Sequence, residues 1–401
     1  VVSYVPLYVR DGAISTQYIM TTLEELGLLK MDFLGLRTLT VIQDTIDLVK
    51  QNQGIDVKFD EKMNDPKVYK LWQNGESVGI FQFESQGMTN FMKELKPDCL
   101  EDIIAGVSLY RPGPMDQIPR YIANKKDPEH AVYTHPALKP ILEVTYGCMV
   151  YQEQVMQIVR DLAGYSLGRA DLVRRAMGKK KLDVMAKERE IFIHGQTDEN
   201  GNIVVPGCIR NGIDEQSANK IFDEMAEFAK YAFNKSHAAC YAVISYQTAY
   251  LKAYYPAEFM AAMLNSFLGN LDKIPQYVDE CKTLGIEILK PDINNSNTKF
   301  TVEQNKIRFG LGSIKNVGTI PVEIIVKERE KNGKYQSFTD FCERIANEAV
   351  NKKCVESLIK AGCFDEFEQT RSTLLASFEL IIDQIQSNNK KGMQGQVSMF
   401  D

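Results

Sequence analysis

The chain has 401 residues, of which 44% are hydrophobic and 25% are charged, and its formal net charge is −6. These values exclude a mostly disordered chain and allow two or three packed domains. The eight cysteines are scattered singly and no apolar run approaches the roughly 20 residues that span a bilayer, so we expect reduced thiols, a cytoplasmic location and no membrane partner.

The first distinctive stretch is Leu28–Leu36, whose alternating pattern predicts a strand with Lys30 and Asp32 on one face. An ionised carboxylate in such an apolar strand needs a cation or strong donors to compensate it. Two interpretations remain open. Asp32 forms an ion pair with Lys30 at the end of the strand, or it is a metal ligand, since Mg²⁺ prefers hard oxygen ligands and supports phosphoryl transfer.

A helix is predicted from Thr38 to Val49, and residues 60–170 predict a series of short helices. Within that series, two prolines flank a glycine in the segment Tyr110–Met115 and exclude both helix and sheet. The resulting stiff turn fixes the direction of Arg111. A guanidinium presented in this way suits phosphate, although an arginine that caps a neighbouring helix gives the same pattern.

Positive charge is concentrated between Arg169 and Lys181, where six lysines or arginines accompany one acid, Asp171. A helix is predicted over Arg169–Met177 and ends at Gly178. Such an asymmetry in an acidic chain indicates a polyanion partner. Lysines just after a helix C-terminus also interact favourably with the helix dipole, which is the plainer interpretation of Lys179–Lys181.

A polar segment precedes the longest predicted helix, Ala238–Ala253, with Asn234 or Ser236 as its N-cap. Lys235 and His237 therefore lie at a helix N-terminus, where backbone N–H groups attract anions. The alternative for this histidine is a packed or capping role.

Residues 286–314 predict strands and turns, which lead into the glycine-spaced segment Gly310–Gly318 before a further helix. This pattern predicts a helix-hairpin-helix that presents backbone N–H groups and Lys315 to a nucleic-acid backbone without base contacts. A second hairpin is predicted from Phe338–Ile345 to Lys352–Ala361. Hairpins of this kind also serve as protein scaffold without nucleic acid.

After a helix that ends near Ile385, the composition changes to Gln, Asn, Lys and Gly over Gln386–Gly395, which predicts a flexible linker. The next residues, Gln396–Phe400, place apolar side chains at the tip of a polar tail. Either this tip is a frayed end or it binds in the groove of another protein.

Together these stretches resemble the bacterial replicative DNA polymerase III alpha subunits, the C-family polymerases, in their DnaE-type form. The resemblance covers essentially the whole chain and rests on the segments Lys30–Leu39, Tyr110–Met115, Tyr151–Ile158, Gly164–Lys181, Phe233–Lys252 and Tyr255–Leu264. It implies a mainly α fold with small β elements. The implied domains are the C-terminal part of a nucleotidyltransferase-like palm sheet (1–40), helical fingers (41–285), a DNA- and clamp-proximal helix-hairpin-helix domain (286–370), and a helix, linker and clamp-binding tail (371–401).

By this resemblance, Asp32 is the third of three catalytic aspartates that bind Mg²⁺, with Lys30 nearby. The other two aspartates, expected in a Pro-Asp-x-Asp-x-Asp-Phe-like strand, have no counterpart in these residues. The chain also begins at Val1 rather than at a methionine. We therefore expect a fragment of a polymerase that adds deoxynucleotides to a primer 3′ end, and we expect this fragment to be inactive alone.

The resemblance also implies binding residues and partners. The incoming triphosphate and the template backbone are expected to bind the fingers residues Arg111, Arg174, Arg175, Lys179, Lys180, Lys235, Ser236 and His237. Further DNA contacts are expected at Lys181, Lys315, Gly310, Gly312 and Gly318. The tail is similar to the internal motif that binds the sliding clamp, the beta subunit, through Gln396, Val397, Ser398, Met399 and Phe400. Primer-template DNA, deoxynucleoside triphosphates, the clamp and other polymerase III holoenzyme subunits are thus the implied partners.

Two other function classes remain. A non-catalytic DNA- and clamp-binding module would use the same basic segment, hairpins and tail, with Asp32 in a structural role. A metal-dependent nuclease would need clustered acids or histidines, whereas the histidines are scattered at His130, His135, His194 and His237.

Overall fold

A computed structural model describes residues 1–29, 31, 35–178, 182–229, 231–345 and 350–393, with the backbone alone for Leu182 and for residues 388–393. Within these ranges helices dominate and the strands form three small sheets, which confirms the expected mainly α fold with small β elements. Residues 1–40 and residues 41–401 form separate compact units. Among the described helices, none combines the length and hydropathy that a bilayer span requires.

The first unit contains a hairpin and a short helix. Strand β1 (Leu7–Arg10) pairs antiparallel with β2 (Ala13–Thr16), and helix α1 (Met20–Glu25) follows. Asp11 and Gly12 join the two strands with positive φ angles of 51° and 80°. Positive φ at both turn residues matches the right-handed twist of the strands, and Asp-Gly is a favoured sequence for such a turn.

The strand predicted over Leu28–Leu36 is wrong for the part of that stretch that the structure describes. Those residues lie in no strand, and the side chains of Leu29 and Met31 are 82% and 68% exposed. In the described part of this unit, β1 and β2 pair only with each other. An additional strand would therefore have no neighbour to pair its backbone or to cover its apolar face. Lys30 and Asp32 lie outside the described residues, and their roles stay predictions.

The helices and strands after residue 36 follow in three groups. The first is α2 (Arg37–Gln53), α3 (Pro66–Asn74), α4 (Gln86–Leu95), α5 (Leu100–Leu109), α6 (Ile118–Lys126) and α7 (Lys139–Leu142). The second is α8 (Gln152–Ala163), α9 (Leu167–Gly178), α10 (Leu182–His194), β3 (Gln196–Thr197), β4 (Ile203–Val205), α11 (Glu215–Phe228), α12 (Lys235–Tyr254), α13 (Pro256–Ser266) and α14 (Ile274–Thr283). The third is β5 (Ile288–Leu289), β6 (Thr301–Glu303), β7 (Lys306–Arg308), α15 (Thr319–Asn332), α16 (Phe338–Ile345), α17 (Lys352–Ala361) and α18 (Arg371–Met393).

Helix ends follow the local sequence. Asn234 accepts a hydrogen bond from the backbone N–H of His237 at 2.9 Å, so Asn234 rather than Ser236 is the N-cap of α12. The predicted helices of the second hairpin have the expected bounds, and Gly362 ends α17 in the left-handed conformation with φ of 86°.

Helix α12 connects two of the hydrophobic clusters that form the core of the second unit. Ala242 and Tyr246 pack in the cluster that contains Trp72, and Leu251 packs in the cluster that contains Phe259. Alanines along α12 allow a close approach to α5. Core packing therefore fixes the body of α12, while its first turn is exposed at the residues after Lys235.

The predicted strands within residues 286–314 form a small mixed sheet in the order β5-β7-β6. Strand β5 is parallel to β7, and β6 is antiparallel to β7. A further hydrophobic cluster is built from α15 to α18 and includes Phe341 and Phe364. The helix-hairpin-helix region thus has a core of its own.

The flexible linker predicted from Gln386 is wrong over its first eight residues, because α18 continues to Met393. No proline interrupts this stretch, and glutamine and lysine are good helix formers. An established helix gains one backbone hydrogen bond for each residue that it adds, so a polar segment can extend it. The tail residues Gln396–Phe400 lie outside the described residues.

A buried lysine, Lys252, joins the end of α12 to two other parts of the fold. Its Nζ donates to the backbone carbonyls of Glu76 and Val78 at 2.8 and 2.7 Å, and to the carboxylate of Glu280 at 2.7 Å. The side chain is 0% exposed and its partner carboxylate 11%. Burial lowers the pKa of Lys252, and the ion pair with Glu280 opposes that effect.

Replacing Lys252 with methionine is expected to lower the free energy of unfolding by about 3–5 kcal/mol, because Glu280 then remains buried without its partner. The matched control is Lys282→Met, whose ion pair with Asp279 is 70% and 73% exposed and whose loss costs less than about 1 kcal/mol. Urea denaturation of the 401-residue chain measures both. Equal shifts for the two variants would contradict the assignment.

Candidate functional site

The turn that presents Arg111 is fixed by two contacts with the segment before α12. The guanidinium of Arg111 lies over the ring of Phe233, 4.4 Å from its centroid. Gly113 has a φ of 104°, and the ring of Tyr231 lies where a side chain at this glycine would be. Only glycine fits this approach without strain. The exposed Arg111 is therefore supported by the Phe233 ring, in a turn stiffened by the two prolines that flank Gly113.

Two of the three arginines of α9, Arg174 and Arg175, bind one carboxylate. Asp171 accepts hydrogen bonds from Nε and Nη2 of Arg174 at 3.0 and 2.7 Å, and Nε of Arg175 lies 2.7 Å from its other oxygen. The hydrogen bonds from Arg174, with the charges of both arginines, lower the pKa of the Asp171 carboxyl. Arg174 also donates from Nη1 to Oε1 of Gln152 at 3.1 Å.

Lys235, the first residue of α12, lies between a carboxylate and a ring. Its Nζ is 3.2 and 3.1 Å from the two oxygens of Glu101 and 5.2 Å from the centroid of the Tyr151 ring. Glu153 accepts hydrogen bonds from the backbone N–H of Lys235 and from Nδ2 of Asn234, at 3.1 and 2.9 Å. A carboxylate of the protein itself therefore lies at the N-terminus of α12, where the sequence predicted attraction of an external anion.

The rings of Phe233, His237 and Tyr241 form an aromatic row at the start of α12. The His237 ring stacks on Tyr241 with centroids 4.4 Å apart and meets Phe233 edge-on at 5.3 Å. His237 and Ser236 are exposed. The row ends at Phe233, which also lies under Arg111, so aromatic surface and positive charge adjoin at this end of α12.

The structure connects Arg111, Arg174, Lys235 and His237 through four residues that were not singled out from the sequence. The intermediates are Gln152, Glu153, Tyr231 and Phe233. Gln152 and Glu153 lie in the first turn of α8, within the segment Tyr151–Ile158. The polar Gln-Glu pair at a predicted helix start was the available signal.

In the structure, acidic side chains compensate part of the positive charge of the segment Arg169–Lys181. Arg169 pairs with Glu188 at 3.2 Å, and the two arginines that follow share Asp171. Lys179, Lys180 and Lys181 lie outside the described residues, and their predicted roles stay predictions.

The glycines of the predicted nucleic-acid hairpin serve chain packing. A side chain at Gly310 would meet the backbone of Lys299 and Phe300 at 2.6 and 2.7 Å, and one at Gly312 would meet the carbonyl of Thr298 at 2.8 Å. The N–H of Leu311 donates to the carbonyl of Asn297 and that of Gly312 to Thr298, at 2.8 and 3.0 Å. The expectation that these N–H groups are exposed is therefore wrong.

In the later half of that hairpin, Lys315 and Gly318 are exposed to solvent. Gly318 precedes α15 with a φ of 72° and without a side chain that caps the helix. A phosphate group suits such a helix start. The predicted DNA contacts at Lys315 and Gly318 stay predictions.

Within the described residues, Asp98, Cys99 and Asp102 form the one group with the donor types and spacing of a metal site. Lys125 binds both carboxylates of this group, with Nζ 3.1 Å from Asp98 and a second bond to Asp102. A bound ammonium already supplies the positive charge there, so this cluster is an ion pair rather than a metal centre. Asp32, the predicted metal ligand, lies outside the described residues.

Comparison with known proteins identifies one family. Residues 38–200 match the bacterial DNA polymerase III alpha subunit finger domain, and residues 285–374 match a helix-hairpin-helix motif. The chain is similar to the DNA polymerase III subunit alpha of Borreliella burgdorferi, with 47% identity over 400 residues that cover 99% of this chain and 34% of that protein. The protein of the same name from Thermus aquaticus is 47% identical over 397 residues, 98% of this chain and 32% of that one.

The DNA polymerase III subunit alpha of Bacillus subtilis is 44% identical over 375 residues, 93% of this chain and 32% of that protein. The chain thus spans about a third of the length of the curated relatives it matches.

Replacing Arg174 with glutamine is expected to raise the pKa of the Asp171 carboxyl toward its ordinary value, because the largest cause of its lowering is removed. Carboxyl ¹³C NMR titration measures this pKa. Since the folded pKa is lowered, the pair stabilises the fold above the ordinary pKa of aspartate, and that contribution is lost as pH falls through the folded value. The control Arg160→Gln, whose partner is Asp161 at 2.6 Å, should leave Asp171 unchanged. An Asp171 pKa insensitive to Arg174→Gln would refute the geometry.

Proposed function

The chain belongs to the bacterial DNA polymerase III alpha subunits, with their finger domain and a helix-hairpin-helix motif, and from this membership we propose that in the complete protein it serves template-directed DNA synthesis. The observation that supports this function is that Arg111, Arg174 and Lys235, from three separate elements, are linked beside the aromatic row of α12 through Phe233, Gln152 and Glu153. The fingers bind the incoming deoxynucleoside triphosphate and the template backbone.

The proposed nucleotide and phosphate contacts are those of the sequence prediction. They are Arg111, Arg174, Arg175, Lys179, Lys180, Lys235, Ser236 and His237. Phosphoryl transfer depends mainly on positioning and on neutralisation of the triphosphate charge, so cations with fixed directions suit the task. The ion pairs of the described cations are partly exposed to solvent, which screens them and lets a phosphate compete with them.

We propose the domain limits predicted from the sequence: the palm end at 1–40, the fingers at 41–285, the helix-hairpin-helix domain at 286–370 and the clamp-binding end at 371–401. The two family matches, over residues 38–200 and 285–374, support the two central domains. DNA contacts in the third domain are assigned to Lys315 and Gly318. Gly310 and Gly312 support that hairpin through backbone packing, and Lys181 contacts DNA from the fingers.

Mg²⁺ is the proposed cofactor of the complete enzyme, where it would polarise the reacting phosphate oxygens. Asp32 is the proposed ligand from this chain, with Lys30 beside it. A single carboxylate does not provide the donor set of a two-metal site, and the companion aspartates have no counterpart in these 401 residues. These residues alone therefore do not fit a complete metal centre, and we propose that the chain is inactive by itself.

The remaining partners are proposed from the tail and from the family. Gln396 to Phe400 would bind an apolar pocket of the sliding clamp, with Met399 and Phe400 as the anchors. A short peptide binds weakly, and tethering on DNA raises its effective concentration. Other polymerase III holoenzyme subunits are further partners, and the proposed location is the cytoplasm, where chromosome replication takes place.

In the complete polymerase, Asp32→Asn is expected to reduce primer extension about a hundredfold or more, because the metal site loses a carboxylate ligand, while DNA affinity stays close to the wild-type value. Asp47→Asn, an exposed carboxylate on α2, is the control that should leave both unchanged. Full activity of Asp32→Asn would favour the rival function, a non-catalytic DNA- and clamp-binding module. Robust extension by the 401-residue chain alone with Mg²⁺ would overturn its proposed inactivity.

For the tail, the double substitution Met399→Ala with Phe400→Ala should abolish capture of the purified sliding clamp in a pull-down, because both apolar anchors are removed. Lys390→Ala with Lys391→Ala changes the adjacent polar stretch and should leave capture intact. Retained capture by the first variant would show that the clamp contact lies elsewhere.

A further inference from the structure

We propose that Gln152 is a positioning residue of the nucleotide site, whose side-chain amide fixes Arg174 and joins it to the segment on which Arg111 stacks. This inference rests on the proposed function, in which the two arginines contact the incoming nucleotide. It deepens that function by naming the residue that sets their mutual geometry.

The amide of Gln152 is bonded at both ends. Its Oε1 accepts from Nη1 of Arg174 at 3.1 Å, and its Nε2 donates to the backbone carbonyl of Ala232 at 3.0 Å. The backbone N–H of Gln152 donates to the carbonyl of Phe233 at 2.9 Å. The first residue of α8 is therefore attached to α9 on one side and to the segment before α12 on the other.

On the α9 side, Gln152 accepts a third hydrogen bond from the planar guanidinium group of Arg174. Oδ1 of Asp171, one turn earlier on the same helix, accepts hydrogen bonds from both Nε and Nη2 of Arg174. The bond from Nη1 to Gln152 adds a support from a different helix, which fixes the guanidinium plane. Because glutamine is neutral, it orients the arginine without neutralising its charge, whereas a carboxylate in its place would compete with phosphate.

On the other side, the bonds of Gln152 hold the backbone at Ala232 and Phe233. The Phe233 ring lies under Arg111 at 4.4 Å and meets the His237 ring at 5.3 Å. A shift of this segment would move the surface on which Arg111 rests. Gln152 thereby couples two cations that belong to elements more than sixty residues apart in sequence.

The test is a double-mutant cycle in the complete polymerase. Gln152→Met removes both side-chain hydrogen bonds at similar volume and is expected to raise the KM for the deoxynucleoside triphosphate roughly tenfold, about 1.4 kcal/mol, with kcat nearly unchanged. In an Arg174→Ala background the same substitution should raise the KM less than it does alone, because one of the two groups that Gln152 positions is gone. If the methionine variant does not fold, Gln152→Ser, whose hydroxyl is too short to reach either partner, enters the same cycle.

A matched control is Gln73→Met. Gln73 donates from Nε2 to the carbonyl of Pro97 at 2.8 Å and is likewise partly buried, but it lies on α3, apart from the residues of the site. This variant should lose a comparable hydrogen bond and leave the nucleotide KM unchanged. Thermal melting of both variants separates loss of stability from loss of nucleotide binding.

The outcomes separate the inference from the function on which it rests. If Arg174→Ala raises the nucleotide KM and Gln152→Met does not, the positioning role is wrong and the nucleotide site stands. An equal effect of Gln152→Met in both backgrounds, or a fall in kcat and melting temperature without a change in KM, also overturns the positioning role. If Arg174→Ala itself leaves the KM unchanged, the proposed nucleotide contact of Arg174 fails.

Discussion

The positive side chains that we propose as nucleotide contacts repel one another, and the arrangement of the site depends on how this repulsion is compensated. Arg174 and Arg175 share Asp171, and Lys235 pairs with Glu101. Arg111 lies over an aromatic face, which attracts a cation without carrying a charge. Each partner orients its cation, and none is so buried that its bond would strongly oppose an incoming phosphate. Local neutrality and phosphate binding are therefore compatible in one surface.

The directions of these cations depend on rigid elements behind them. Helix α12 offers its exposed first turn to the site while Ala242, Tyr246 and Leu251 pack in the core. At its far end, the ammonium of Lys252 binds two carbonyls and a carboxylate from other segments. A helix packed along its length positions the residues of its first turn more precisely than a loop would.

Much of this fold could be predicted from the sequence, and the exceptions have physical reasons. Asn234 and Gly362 are local signals whose effect depends only on nearby backbone, and the helices that they bound were predicted correctly. The stiff turn at Arg111 followed from its prolines. The role of Gln152 could not be predicted in this way, because its partners Arg174 and Ala232 lie 22 and 80 residues away. Contacts of that range are set by packing rather than by local pattern.

Two of the incorrect expectations also reflect context. The stretch Leu28–Leu36 has the alternation of a strand but no strand beside it within the described part of its unit. The glycines Gly310 and Gly312 have the spacing of a phosphate-binding turn, yet both lie against the backbone at Thr298–Phe300, and the N–H of Gly312 donates to Thr298. The pattern of a sequence limits the structures that a segment can form, and the elements packed against that segment determine which of these structures forms.

Helix α18 continues beyond Ile385, the last of its described side chains that packs in the core. The helix runs on to Met393. At 1.5 Å per residue, this helical extension is about 12 Å long. A peptide attached to the end of a helix samples a smaller volume than a peptide attached to a flexible linker of equal length. The direction of the extension therefore helps to determine which surfaces of a partner the proposed clamp-binding tail can reach.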